Sequence, residues 1–516
     1  MSSFMNNLKN EVKAEEVSQL QYTENMALGH STSGENLVDV NFKIASYRSN
    51  KKSIIPDFDK AFHDDKNLAV KFLFFARDAR EGLGERDFFL RVFSHLIETH
   101  KSSNIEALIA AIPFYGRWKD IFDIYESIKD SPYEKFVIDL ITSTLENDLN
   151  LMKNKKPISL LSKWAPRENC SEKGRIELAR HIMKKLDWKP AKYRKTLSAL
   201  NKYLNTTEIM LSAKEFNKIN YEQVPSLANL KYKNAFLRND EERRREYLGK
   251  LSKGEVKMNM SVGYPHDIVH AYMNNQRFTG SYGWGHGTMK FKIDEALEGA
   301  WKNLPSLSLE NTIVVGDSSG SMTATVGNTE VQAIEVAHAL GIYCGDHNSG
   351  PFKNKMITFS ERPKYLEWKD EDTLAAKLGI AFSHSEVANT NIEAVFDLIL
   401  KTALKNHCSQ EDLPKTILII SDMEFDGATS GRRDKTLFQE IKAKFKANNY
   451  EVPRCVFWNV SSRTNTIPMQ KHENGVALVS GFSVQILKMV NSGKLDPFEI
   501  LKEVLESDRY KKIIWE

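Results

Sequence analysis

Cysteine is scarce in this chain: Cys170, Cys344, Cys408 and Cys455 are the only four in 516 residues, and none forms a CxxC pair. Neither a disulfide framework nor a zinc knuckle is therefore expected. Long apolar runs are missing too, with no stretch of about 18 apolar residues to span a bilayer. The opening segment MSSFMNNLKNEVKAEE lacks the apolar centre of a secretion signal. These absences predict a cytoplasmic protein. Glycine and proline number 26 and 15, too few for a collagenous or long flexible portion. What the chain does have is length and apolar content, 41% hydrophobic and 27% charged. That is enough for two to four domains with large cores.

The formal net charge of +4 conceals a strong asymmetry. Residues 1–150 carry 18 Lys and Arg against 24 Asp and Glu, and residues 291–516 carry 26 against 31. Residues 151–290 carry 28 against 13, an excess of 15 positive charges in 140 residues. Such a block suits phosphate binding, in which each contact releases counterions. It equally suits solvated helix faces such as Glu241-Glu242-Arg243-Arg244-Arg245.

The apolar spacing divides the chain. From about residue 60 to 300 it is helical, as in Leu68, Phe72, Phe75, Ala76 and then Phe88, Phe89, Val92, Phe93, Leu96. Segments of ten to twenty residues alternate with short breaks, which predicts paired helices stacked in series. A loop rich in glycine and aromatics at 278–287 ends this texture. Beyond it, short apolar strands are expected at 312–316, 355–359, 416–421, 454–460 and 475–479. Helices are expected at 331–343, 392–404, 435–447 and 484–491. This alternation predicts a mainly parallel, doubly wound sheet, whose ligands bind where loops leave the carboxyl ends of the strands. The resulting division is an N-terminal extension at 1–59, a helical domain at 60–300, an α/β domain at 308–495 and a C-terminal helix within 496–516.

Two of the expected strands end in aspartate. The first runs into Asp317-Ser318-Ser319-Gly320-Ser321, and 416–421 runs into Asp422, while Thr390 stands just before a helix. Carboxylate and hydroxyl oxygens at neighbouring strand ends suit a hard divalent cation such as Mg²⁺ or Mn²⁺, and the lack of His and Cys argues against zinc. A plainer reading leaves Asp317 and Asp422 as helix or turn caps. A hydrolase elbow would read Gly-x-Ser-x-Gly, which is not the order here, and no enzymatic activity is expected.

Asp317-x-Ser319-x-Ser321, Thr390 and Asp422 resemble the metal-ion-dependent adhesion site of von Willebrand factor A domains, a Rossmann-like fold, over about residues 308–495. The phrases Arg77-Asp78-Ala79-Arg80-Glu81-Gly82-Leu83-Gly84-Glu85-Arg86-Asp87 and Pro113-Phe114-Tyr115-Gly116-Arg117-Trp118-Lys119-Asp120 resemble the TROVE module of Ro ribonucleoproteins. There, HEAT-like helical repeats form a ring that a von Willebrand factor A domain closes. A closer similarity is to an uncharacterised family of plants, large viruses and phages with the same layout. It rests on Leu161-Ser162-Lys163-Trp164-Ala165-Pro166, Tyr264-Pro265-His266-Asp267 and Ser421-Asp422-Met423-Glu424-Phe425-Asp426, among others.

The Ro resemblance implies a ribonucleoprotein component that holds a single-stranded RNA end or a small structured RNA. Its metal site would leave one position for a partner's carboxylate. The residues assigned to RNA are Lys163, Arg167, Lys192, Tyr193, Arg194, Lys195, Lys231, Lys233 and His266, with cations tracking phosphates and aromatics stacking on bases. His266 could equally cap a helix, and Trp118 and Trp164 are read as core anchors. The competing reading is a protein-interaction scaffold that uses the same metal site without RNA. A metal-assisted nuclease would call for a denser carboxylate set.

Overall fold

The strand Thr416–Ser421 is almost wholly buried, with Ile417, Leu418, Ile419 and Ile420 fully inaccessible. A continuous apolar strand of this kind must be covered on both faces. It lies inside a six-stranded sheet in the spatial order Val476–Ser480, Arg454–Asn459, Thr416–Ser421, Thr312–Asp317, Lys355–Phe359 and Lys364–Glu367. The first five strands are parallel and the last is antiparallel. In this computed structural model of the protein, the residues described are 20–275, 289–385, 388–427, 436–469, 475–491, 494 and 496–516. The glycine and aromatic loop at 278–287 lies outside them, as do residues 1–19 and Lys435 at the start of an expected helix.

The five expected strands form, each within a residue of its expected bounds. Among the elements not expected are the edge strand Lys364–Glu367 and the helix Leu374–Ser383. That strand is short and half exposed, with Tyr365 outward and Leu366 inward, so its apolar signal is weak. The helix Ala333–Asp346 is buried along nearly its whole length, which small residues permit. A Cβ on Gly341 would stand 2.8 Å from the Met356 terminal methyl.

The chain divides into two units, one of residues up to 64 with 263–504, the other of 65–262 with 505–516. The segment set apart as an N-terminal extension thus belongs to the α/β unit, where Ala27, Val38 and Phe42 share a core with Val315, Ile417 and Phe457. Asn459 Nδ2 donates to the Phe42 carbonyl (2.8 Å), tying the helix Asn36–Lys43 to the sheet. The helices Pro265–Asn275 and Glu295–Lys302 also join this unit rather than the helical one, with Tyr272 Oη donating to Glu298 Oε1 (2.6 Å). An amphipathic pattern says that a face is buried, but not which neighbour buries it.

The second unit is helical throughout its described residues, from Lys66–Arg77 to Glu241–Ser252. The two charged phrases of the N-terminal half meet here as an internal ion network. Asp120, fully buried, accepts from Arg77 Nε and Arg86 Nε, both at 2.8 Å, and from the Arg117 backbone N–H at 2.9 Å. Asp123 extends the chain of pairs to Arg86, Arg175 and Lys119. Gly116 is required by this packing, because a Cβ there would collide with the Asp120 carboxylate and the Arg77 guanidinium. The last residues complete the unit: Tyr510 stacks on Tyr115 (5.6 Å, 20°), Tyr510 Oη donates to Asp78 Oδ2 (3.0 Å), and Arg509 pairs with Asp78. No helix among the described residues is long and apolar enough to cross a membrane.

Candidate metal centre

Parallel pairing sets Gly316 opposite Ile420, so Asp317 and Asp422 leave adjacent strands at the same carboxyl edge. Asp317, fully buried, accepts from Ser421 Oγ at Oδ2 (2.5 Å) and from the Ser319 N–H at Oδ1 (2.9 Å). The Ser319 and Ser321 hydroxyls lie 3.0 Å apart, and Ser321 reaches the Asp422 carboxylate. After Asp422 the chain turns sharply through Met423, a buried residue with φ of 63°. The Met423 N–H donates to Ser421 Oγ (2.9 Å), so one serine hydroxyl links both aspartate loops. Thr390 joins through its neighbours: its carbonyl accepts from the Asp426 N–H (3.0 Å) and its Oγ1 from Asn25 Nδ2 (3.2 Å).

The electrostatics of this group are those of stranded anions. Burial raises the Asp317 carboxyl above the ordinary carboxylate range and the Asp426 charge adds to the shift, against the hydrogen bonds from Ser421 and Ser319. Burial and then the Asp317 charge raise Asp422 further, opposed by Ser321. The pair titrates as a unit. The cationic neighbour is Arg463, whose Nη2 lies 3.7 Å from Asp422 Oδ2. Buried carboxylates and hydroxyls clustered in this way fit a hard divalent ion, whose charge would offset theirs.

Four residues beside the cluster were not assigned to it from the sequence: Asn25, Glu424, Asp426 and Arg463. The alternation of acids in Asp422-Met423-Glu424-Phe425-Asp426 was a usable signal for two of them. Asn25 and Arg463 carried none, because only folding brings residues some 400 and 40 positions away to Glu424.

The sequence matches two known family models, each a domain of unknown function: residues 23–134 and 133–306 match DUF2828, and residues 311–512 match DUF7788. The uncharacterised protein L728 of Acanthamoeba polyphaga mimivirus is 30% identical over 525 residues, covering 94% of this chain and 87% of its own length. The chain belongs to the DUF2828 family. Its DUF2828 region takes in the helices of the second unit and the helices Pro265–Asn275 and Glu295–Lys302. The DUF7788 region begins one residue before the strand that ends in Asp317.

The residues assigned to RNA do not form one group. Arg167, Lys192, Lys195 and Lys231 are exposed in the helical unit, Lys192 lying over the Trp188 ring (4.9 Å) and Lys231 over Tyr232 (5.3 Å). Lys163 pairs with Glu208 (3.2 Å) and Arg194 with Glu168. Tyr193 is not available for stacking: it is buried and its hydroxyl donates to the Pro166 carbonyl (2.9 Å). Lys233 is buried as well, on the inward side of the helix Ser226–Asn239. Trp118 and Trp164 are half-buried.

His266 belongs to the α/β unit rather than the helical one. Its ring stacks on Tyr264 (5.4 Å, 19°), meets Phe482 edge-on (5.0 Å), and leaves Nδ1 without a hydrogen-bond partner among the described residues. Burial, reinforced by the nearby Arg48 charge, pushes its pKa down to about 3. We expect the His266 ring to stay neutral in an NMR titration down to pH ~5, below the ~6.5 of a free histidine. A resonance titrating near the free value would contradict this packing.

Proposed function

We propose that this protein is a non-catalytic, cytoplasmic RNA-binding protein of Ro-like layout, with HEAT-like helical repeats preceding a von Willebrand factor A-type domain. In this reading Asp317, Ser319, Ser321, Thr390 and Asp422 hold Mg²⁺ or Mn²⁺, which receives an anionic group from a partner. The observation that carries the metal reading is the buried pair of aspartates at one sheet edge, sharing serine hydroxyls. The RNA reading is supported by the basic excess of residues 151–290 and by the exposure of Arg167, Lys192, Lys195 and Lys231.

The RNA test follows from that exposed set. Changing Arg167, Lys192, Lys195 and Lys231 together to glutamate is expected to weaken binding of a single-stranded RNA by more than roughly 100-fold at low salt. Wild-type affinity should fall with salt at a slope of about −0.7 per phosphate contacted, and the variant's slope should be flatter. Asp317→Ala should leave RNA affinity unchanged, since the aspartates belong to the other unit. Gel-shift titrations at several salt concentrations check this. Unaltered affinity in a folded charge-reversed variant would favour the protein scaffold instead.

A further inference from the structure

Two segments outside the aspartate and serine motif converge on Asp422. The hairpin of strands Leu20–Tyr22 and Leu28–His30 is anchored beside it: Thr23 Oγ1 donates to the Phe425 carbonyl (2.6 Å), and Asn25 Nδ2 to that of Glu424 (2.7 Å). The second segment is the loop that follows the strand Arg454–Asn459. The fully buried Glu424 carboxylate holds both. Its Oε2 accepts from the Glu24 N–H (2.9 Å), and its Oε1 from the N–H groups of Arg463 and Thr464, each at 2.8 Å. One anion thus fixes the backbone positions from which the Glu24 and Arg463 side chains extend.

Those side chains meet above the site. Arg463 Nη2 lies 2.6 Å from Glu24 Oε2 and 3.7 Å from Asp422 Oδ2. The guanidinium is shared between a half-exposed carboxylate and a buried one, and it makes the closer contact with the exposed one.

We propose that Arg463 is a built-in cation competing with the divalent ion for Asp422, and that Glu24 holds it partly aside, so that the N-terminal hairpin sets the affinity of the site. The inference rests on the reading of the aspartate cluster as a divalent-cation site. Its physics is direct, because a unit positive charge a few ångströms from the ion's position repels it, and the repulsion is strong where protein displaces water. Neutralising Glu24 releases the guanidinium to pair fully with Asp422. Removing Arg463 leaves Asp422 to the ion alone.

The test is Mn²⁺ binding by the full chain, followed by calorimetry and by the electron paramagnetic resonance signal of free Mn²⁺. Arg463→Ala is expected to bind on the order of tenfold tighter than wild type, and Glu24→Gln several-fold weaker. In the Arg463→Ala background, Glu24→Gln should change affinity by less than about threefold. Arg463→Gln repeats the measurement if alanine unsettles the loop. Wild-type binding with both single variants unchanged, or a Glu24→Gln effect of equal size with and without Arg463, overturns this inference and leaves the cation site standing. If wild type binds no Mn²⁺ but Arg463→Ala does, the competition is upheld. If neither binds, the site reading and this inference fall together.

Discussion

Replacing Asp120 by alanine is expected to cost the helical unit about 3–5 kcal/mol, since it leaves two guanidinium groups without their buried anion. Arg77, itself almost fully buried, would lose its carboxylate partner, and Arg86 would keep only Asp123. Against a domain stability of roughly 5–15 kcal/mol this is close to unfolding. Asp120→Asn should be milder, because the amide oxygen still accepts from one of them. Lys511→Ala, at the exposed pair with Asp508, should stay within about 0.5 kcal/mol. Hydrogen exchange read by peptide is the suitable measurement, because a chain of two units has no single unfolding transition. Peptides from Lys66–Arg77, Arg86–Thr99 and Trp118–Asp123 should lose protection, while those from the sheet should not. Unchanged exchange in Asp120→Ala would show that the network is ornamental.

If the aspartate cluster holds a cation as proposed, removing one aspartate should act in two opposite directions. Asp422→Asn removes a carboxylate disfavoured by burial and by the Asp317 charge, so the cation-free chain should gain on the order of 1–2 kcal/mol. The same change removes an anionic oxygen, and Mn²⁺ affinity should fall by more than roughly 100-fold. The pH dependence has a definite sign. Burial raises both carboxyls in the folded state, with the Asp426 charge adding at Asp317 and the Asp317 charge at Asp422, so the folded chain binds more protons than the unfolded one above pH ~4. Stability without the cation therefore falls as pH rises from about 4 through the raised folded values. Cation binding needs the deprotonated pair, so it should tighten with pH over that same interval and release protons. Thermal melts in chelator at pH 5 and pH 8, repeated with excess Mn²⁺, separate the two effects. A cation-free chain that melts higher at pH 8, with Asp422→Asn destabilised, would sink this account of the site.

The strands were legible because a covered parallel strand must be apolar on both sides, and runs such as Ile417 to Ile420 have few other uses. The aspartates at their ends were legible for a related reason: a polar residue directly after such a run marks where the chain leaves the sheet. The edge strand Lys364–Glu367 was not, since one exposed face dilutes the apolar pattern. The charged phrases around Arg77 and Asp120 stood out in the sequence as a family feature, and the structure turns them into a buried ion network. Tyr193, Lys233 and His266 were misplaced because sequence gives residue type without orientation. A tyrosine or lysine one position along a helix turns about 100° and passes from solvent to core.

By itself, then, the sequence determined the change from helical to α/β texture, the strand ends and the gathering there of Asp317, Ser319, Ser321 and Asp422. The texture and the strand ends depend on neighbours within a few residues. Tertiary structure alone decided that residues 20–64 join the sheet, that residues 505–516 finish the helical unit, and that Asn25, Glu424 and Arg463 surround the aspartates. Those contacts join positions some 40 to 440 residues apart. No local propensity encodes them, because the free energy that holds them is gained only when the complementary surface is already folded.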